Sequence, residues 1–380
     1  MRIGLKKTFI ILGLIIFGVV GAFAAERPWE SILDEVVGFG ENATGGAGGE
    51  LCLVSNLMDS GKGSLRSCME SSGKKWIVFN VSGEINLNSP ILGKSDKTLD
   101  GRGADITIRN YGINLVRVSN VVILNVKIRD GYDDAIKIIS GSNNIWIDSV
   151  TLSNFKDGLI DITERSGNVT ISRSRFENHS KGMLFGADER HRGDTVIRVT
   201  LYENFFDSVE GRTPRLRYGQ VHMFNNYIYN WGFEGVTSQS FGEIYSEYNI
   251  FHAGRNVNAI VADDHRPWDR EIGYAYDVGS LFLNDAVIKG PGVDSSMVFV
   301  PPYEYSVREL DLDFVQSIIA NAGWKNSTSE EMIFLKKEYV NYELGNIDWK
   351  KEILTAVFIV ALVLAVFFFM FKFKTPKKRK

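Results

Sequence analysis

Six short runs of alternating apolar residues recur along the middle of the chain at nearly even spacing, and this period constrains the fold more than any other feature. They are "NVVILNVKIRDG" from Asn120, "NIWIDSVTLSNFKDG" from Asn144, "NVTISRSRFENHSKG" from Asn168, "TVIRVTLYENFFDS" from Thr195, "QVHMFNNYIYN" from Gln220 and "EIYSEYNIFHAG" from Glu243. Successive starts lie 24, 24, 27, 25 and 23 residues apart. Each unit reads as a strand alternating at period two, an Asn, Asp or Gly turn, and a second short strand. Helical solenoids need longer repeats with a 3.6-residue period, which is absent. Repeats this short, rich in Val, Ile, Thr and aromatic residues with asparagines at the corners, predict an all-β chain wound as a right-handed, single-stranded parallel β-helix. An antiparallel sandwich is the alternative, and it seldom holds so even a register over six units.

Outside the repeats, "ENATGGAGGE" is a Gly-rich opening loop, and residues 76–108 supply strands for the first coils. The stretch 306–322 has helical apolar spacing and ends before Gly323, a C-cap candidate. With 44% hydrophobic and 23% charged residues, the chain as a whole is excluded from the disordered class.

In a β-helix, residues one coil apart in sequence lie about 4.8 Å apart in space. Asp157 plus 24 is Lys181, and Asp134 plus 24 falls one position past Asp157, so the reading sets Asp134, Asp157 and Lys181 in one charged column. Asp161 faces the same side if "DGLIDI" stays extended. Oxygen donors with no nearby histidine or cysteine select calcium over zinc. The plainer alternative is a solvated carboxylate column neutralised by Lys181 and Lys137.

One coil further along come Arg212, Arg215 and Arg217 in "GRTPRLR". Arginine matches planar carboxylates through paired N–H donors, so aspartates followed by a lysine and arginines read as calcium plus cationic clamps for an acidic polysaccharide. Arginines that merely pair with Glu210 and Asp207 are the alternative. A net charge of -3 and the adjacent carboxylates argue against nucleic acid as a partner. His179 and His222 read as satisfied structural histidines, and Asn225 and Asn226 as members of a corner asparagine ladder. Trp231, Phe233, Trp268 and Tyr274 suit either sugar stacking or core cover.

Both ends of the chain read as membrane-related. Residues 1–25 carry a basic start, an apolar stretch and small residues at a cleavage point, the pattern of a secretory signal peptide. Residues 353–371 form an uncharged apolar run followed by a basic tail at 372–380, which predicts a transmembrane helix with a cytoplasmic tail. A stalk at 326–352 then joins the anchor to a β-helix at 26–325 on the extracellular face. That setting permits a disulfide between Cys52 and Cys68, the only cysteines, and leaves open whether they pair.

Taken together, "GYDDAIKI", "NNIWIDS", "KDGLIDITERSGNVTIS", "FENHSKGMLFGA" and "GRTPRLRYGQVHMFNNY" resemble, in order and spacing, the pectate lyases and the related pectin lyases. The resemblance runs from about Val37 to Gly254 and extends to "SIIANAGW". It implies a β-helix that cleaves polygalacturonate by β-elimination with Ca2+ as cofactor. It assigns Asp134, Asp157 and Asp161 to calcium, Lys181 and Arg217 to substrate, and Arg212 to the base. Arg215 adds positive potential beside the substrate. Tyr132 stands where many calcium-dependent members carry another aspartate, and the adjacent Asp133 is the candidate to replace it. Ser149 stands where a histidine is common.

Two functions compete on this reading. One is a membrane-tethered lyase, with acidic polysaccharide and membrane as partners and the body a monomer. The other is a non-catalytic adhesin whose cationic groove holds an acidic glycan without cutting it. Retention of the calcium set together with Arg212 favours the enzyme.

Overall fold

The computed structural model describes residues 27–263 and 271–326 of the chain. Two units are distinguished, residues 32–336 and residues 1–31 with 337–380, and nearly everything described belongs to the first. The signal peptide, the anchor, the basic tail and most of the stalk expected from sequence lie outside the described residues. Among the described residues no helix is long and apolar enough to cross a membrane.

Three parallel sheets run the length of the body: one of ten strands, from Glu50–Val54 to Tyr274–Val278, and two of nine. A coil takes one strand from each. Ser119–Leu124 lies in the first sheet, Lys127–Gly131 in the second and Ile136–Ile139 in the third. The chain then returns with Asn143 paired to Ser119, 24 positions on. About ten such turns form the right-handed parallel β-helix expected from the period.

Each coil therefore has three strands rather than the two read from sequence. The unread third strand is three or four residues long in every coil but one, as in Ile160–Ile162 and Met183–Phe185, and has too few alternations to declare itself beside charged neighbours.

The corners explain the recurring asparagines. Asn120, Asn144 and Asn168 all have left-handed backbones, with φ of 62°, 53° and 52°, and they stack 24 residues apart. Asparagine tolerates that region better than most residues. Inside the coils, matched columns fill the core. Val121, Ile145, Val169, Val199, Val221 and Ile244 are stacked in register in the first sheet and fully buried. Each such side chain contributes about 1.5–3 kcal/mol relative to exposure. A buried corner ladder runs through Asn204, Asn226 and Asn249, each amide bonded to the next at 3.0 and 2.9 Å. Asn225 lies outside that ladder and bonds to the backbone of Arg308 instead.

Two coils are longer than the rest, the later one running thirty-one positions from Ile244 to its partner Ala275. In the earlier one Val169 pairs with Val199, thirty positions on, because an insertion that includes the 3-10 turn Arg192–Val196 follows Phe185.

The first coils and two flanks of the body are covered. A short helix, Leu65–Met69, which the sequence reading did not include, buries Leu65 and Met69 at the first coils and is tied by a Cys52–Cys68 disulfide. Residues 37–49 lie along the outside of the first sheet, where the Gly40 N–H meets Thr170 Oγ1 at 3.0 Å. A β-carbon on Gly40 would sit 2.6 Å from the Thr170 nitrogen, which explains the glycine. The C-terminal helix is Leu312–Asn321, shorter at its start than the 306–322 expected, because Asp311 caps it by accepting the Phe314 N–H at 2.7 Å. Its Phe314 and Ile318 pack on Phe205, Tyr227 and Ile250.

Candidate functional site

The third sheet carries the site. Its inward column, Ile136, Ile160 and Met183, is core, so the intervening positions face out. Lys137 and Asp161 are direct cross-strand partners on that outer face. The turns entering the same strands bring Asp133, Asp134, Asp157 and Lys181.

The register differs by one residue from the column read in sequence. Ile136 pairs with Ile160, and that step of 24 carried back through the entering turns sets Asp133 opposite Asp157 and Asp134 opposite Gly158; the Asp157 N–H also bonds the Asp133 carbonyl at 3.1 Å. Asp134 turns inward instead, with its side chain only 3% exposed, and accepts the Gly158 N–H at 2.6 Å. The three carboxylates of Asp133, Asp134 and Asp157 still offer ligand atoms that all lie within 4.8 Å of one another.

Two lysines meet them. Lys137 Nζ bridges Asp133 Oδ2 at 2.8 Å and Asp134 Oδ2 at 2.9 Å, and Lys181 Nζ reaches Asp157 Oδ1 at 2.7 Å from the solvent side. The Lys181 bond holds the Asp157 carboxyl below the usual range. The fourth carboxylate is different. Asp161 Oδ1 is buried and has no hydrogen-bond partner. Burial, and after it the negative charge of Asp134, pushes the Asp161 carboxyl up to about 7. Burial also raises Asp134.

Arg212 faces this cluster with a left-handed backbone, φ 61°, just before the cis Thr213–Pro214 bond. Its carbonyl accepts the Met183 N–H at 2.6 Å, which fixes it to the coil below. Among the described residues its guanidinium makes no hydrogen bond or ion pair. Burial, and then the charge of Arg215, lowers its pKa, while Asp161, Asp157 and Asp134 pull the other way.

The remaining arginines are engaged elsewhere. Arg215 Nη2 binds Glu234 Oε1 at 2.5 Å, and Glu210 and Asp207, its partners in the alternative reading, bind Arg255 and Arg175. Arg217 is 5% exposed and donates to the carbonyl oxygens of Gly186 and Ala187 at 3.4 and 3.1 Å. The observed hydrogen bonds bring neither to the carboxylate cluster.

Surrounding residues sort as follows. His179 Nε2 contacts the Asp157 carbonyl at 2.6 Å and supports that turn. Ser149 Oγ donates to Asp148 Oδ2 at 2.8 Å, a packing role. Tyr132 is exposed, with Lys156 Nζ 5.0 Å from its ring centre and Tyr111 alongside at 5.4 Å. Trp231 is core and Phe233 is exposed, while Trp268 lies outside the described residues. Sequence reasoning missed Gly158 and Glu234. The glycine between two acids in "KDGLID" was the available signal for the first.

The family model described as "Pectate lyase" matches residues 67–327. Pectate lyase 2 of Ambrosia artemisiifolia is 33% identical over 254 residues, 60% of this chain and 64% of that protein. The chain thus spans somewhat less than two thirds of that relative. Pectate lyase 1 of Cryptomeria japonica is 34% identical over 286 residues, 64% of this chain and 76% of that protein. Among solved structures, the major allergen from cedar pollen superposes with a TM-score of 0.67 at 27% identity, covering 80% of this chain and 97% of that one.

Proposed function

The chain belongs to the pectate lyase family, and on that premise we propose that it is a calcium-dependent polysaccharide lyase cleaving polygalacturonate, or a similar acidic polyuronate, by β-elimination. The observation that carries the proposal is Arg212: a half-buried guanidinium without a hydrogen-bond partner among the described residues, its pKa lowered, beside converging carboxylates.

Elimination needs a base for the proton on C5 of the uronate. Arg212 in its neutral form takes that proton. The C5–H electron pair becomes the C4–C5 double bond, the C4–O bond breaks, and the departing oxygen collects a proton from water. An arginine normally stays protonated up to about pH 12. Burial of Arg212 beside Arg215 favours the neutral form. Lys181, with its side chain 42% exposed at the rim, has further N–H donors for a uronate carboxylate beyond its bond to Asp157.

The donor set fits Ca2+. It is all oxygen, and the unpartnered Asp161 Oδ1 is a buried acceptor that a cation would satisfy. Asp133, Asp134, Asp157 and Asp161 are the residues that would hold it. When bound, Ca2+ would cancel the negative charge that keeps Arg212 protonated and would stabilise charge developing on the uronate.

The Cys52–Cys68 disulfide supports a body that works outside the cytoplasm, in keeping with the extracellular face and terminal anchor expected from sequence. The test of function is ultraviolet absorbance of the unsaturated product, with full-length protein and polygalacturonate at alkaline pH, with calcium or chelator. A calcium-dependent rise that Arg212→Ala abolishes is expected. Tight binding of the polymer without any rise would sink the lyase reading in favour of a glycan-holding module.

A further inference from the structure

Lys137 is placed unlike any other cation near the carboxylate cluster. It sits on the outer face of the strand Ile136–Ile139, directly across from Asp161, yet its ammonium turns to the entering turn and bridges Asp133 Oδ2 at 2.8 Å and Asp134 Oδ2 at 2.9 Å. Its side chain is 24% exposed, against 42% for Lys181, which touches only Asp157. Asp161, its cross-strand neighbour, is left with an unbonded buried oxygen.

We propose that Lys137 is a built-in counter-cation of this cluster, one that competes with Ca2+ for the carboxylates of Asp133 and Asp134 and sets the calcium affinity of the free protein low. This rests on the reading of the cluster as a calcium site. Calcium bonds to oxygen are about 2.3–2.6 Å. An ion bound to carboxylate oxygens that already hold the ammonium would therefore stand only about 4–5 Å from that ammonium, where like charges repel strongly. Entry of the ion thus requires Lys137 to leave. Removing the lysine leaves the aspartates facing one another without their shared ammonium, which raises the free energy of the empty site and not that of the filled one.

The test uses the full-length protein and calcium chloride alone, with affinity read by titration calorimetry and by the shift in melting temperature between chelator and calcium. Lys137→Met removes the charge, Lys137→Gln removes it while keeping hydrogen-bonding capacity should the first variant fold poorly, and Lys62→Met, exposed and remote, controls for net charge. Both Lys137 variants should bind calcium roughly tenfold more tightly than wild type or better, with a larger calcium-induced melting shift, and Lys62→Met should match wild type. Unchanged or weaker affinity in the Lys137 variants, with wild type binding normally, would overturn the role of Lys137 and leave the calcium site standing. Absence of calcium binding in wild type and in every variant would overturn both.

Discussion

The backbone N–H of Gly158 points at Asp134 Oδ1 from 2.6 Å, and the open side of the same glycine faces Asp161. A β-carbon there would lie 2.4 Å from Asp161 Oδ1 and 3.0 Å from Asp134 Oδ1. The missing side chain is what lets two carboxylates from neighbouring coils converge. Gly158→Ala should therefore fold, at a cost of about 1–3 kcal/mol for the crowding, but lose calcium-induced stabilisation and most lyase activity. Melting curves with and without calcium check this, and a variant that responds to calcium as wild type does would refute it.

Asp161 should be a site where function opposes stability. Its folded-state value of about 7 stands against 3.8 for the free side chain. Between those values the folded protein retains a proton that the unfolded chain has released, so this group lowers stability as pH rises through the window, and its full penalty applies above about pH 7. Asp161→Asn carries no such penalty. In chelator at pH 8 it should be about 0.5–2 kcal/mol more stable than wild type, with the advantage fading toward pH 4, and it should be inactive. Denaturant unfolding at several pH values reads the sign directly.

The fold was legible because a solenoid writes itself as a period. Asn120, Asn144 and Asn168 mark one corner of successive coils, and the residues after them alternate in and out. The site was legible to within one residue. A step of 24 from Asp134 reaches Gly158, so it is Asp133 that stacks with Asp157, and the local step shortens to 23 where Ile160 meets Met183. A one-residue difference decides which aspartate is buried, and sequence spacing alone does not carry that resolution. The arginines show a second limit. Arg215 and Arg217 alternate with core residue Leu216, but their partners, Glu234 and the Gly186 and Ala187 carbonyl oxygens, come from neighbouring coils whose loop lengths the period does not give.

Arg212 as base predicts a particular pH profile. Well below its pKa, the neutral fraction of an arginine grows tenfold per pH unit, so kcat/KM should climb with a logarithmic slope near one on the way to an alkaline optimum. Arg212→Lys should cut the rate by roughly 100-fold or more for loss of geometry, yet move the upper break to lower pH, because lysine ionises near 10.4. A variant with unchanged profile shape would assign the base to another group.

His222 gives a pH dependence that belongs to the fold. Its Nδ1 lies 2.6 Å from Tyr303 Oη and its Nε2 2.9 Å from Glu247 Oε1, and Tyr303 Oη also contacts Thr200 Oγ1 at 2.7 Å. Tyr245, Tyr305 and Phe224 close around the ring. Burial pushes His222 below its ordinary 6.5, with Glu247 opposing. In the window below 6.5 the unfolded chain takes up a proton that the folded protein refuses, so the stability this group contributes is present above that pH and is lost as pH falls through it. Tyr303 belongs to an extended segment that is also held where the Phe299 N–H meets Glu243 Oε2 and the Arg308 N–H meets Asn225 Oδ1. Acid should loosen that segment before the coils beneath it. Hydrogen-exchange protection factors for residues 299–308, corrected for intrinsic rates, should drop between pH 7.5 and 5.5 while those of the Val121 to Ile244 core column hold. His222→Gln, which cannot take up a proton, should flatten that drop even though it starts from a weaker contact. An equal drop in wild type and variant would place the acid-sensitive group elsewhere.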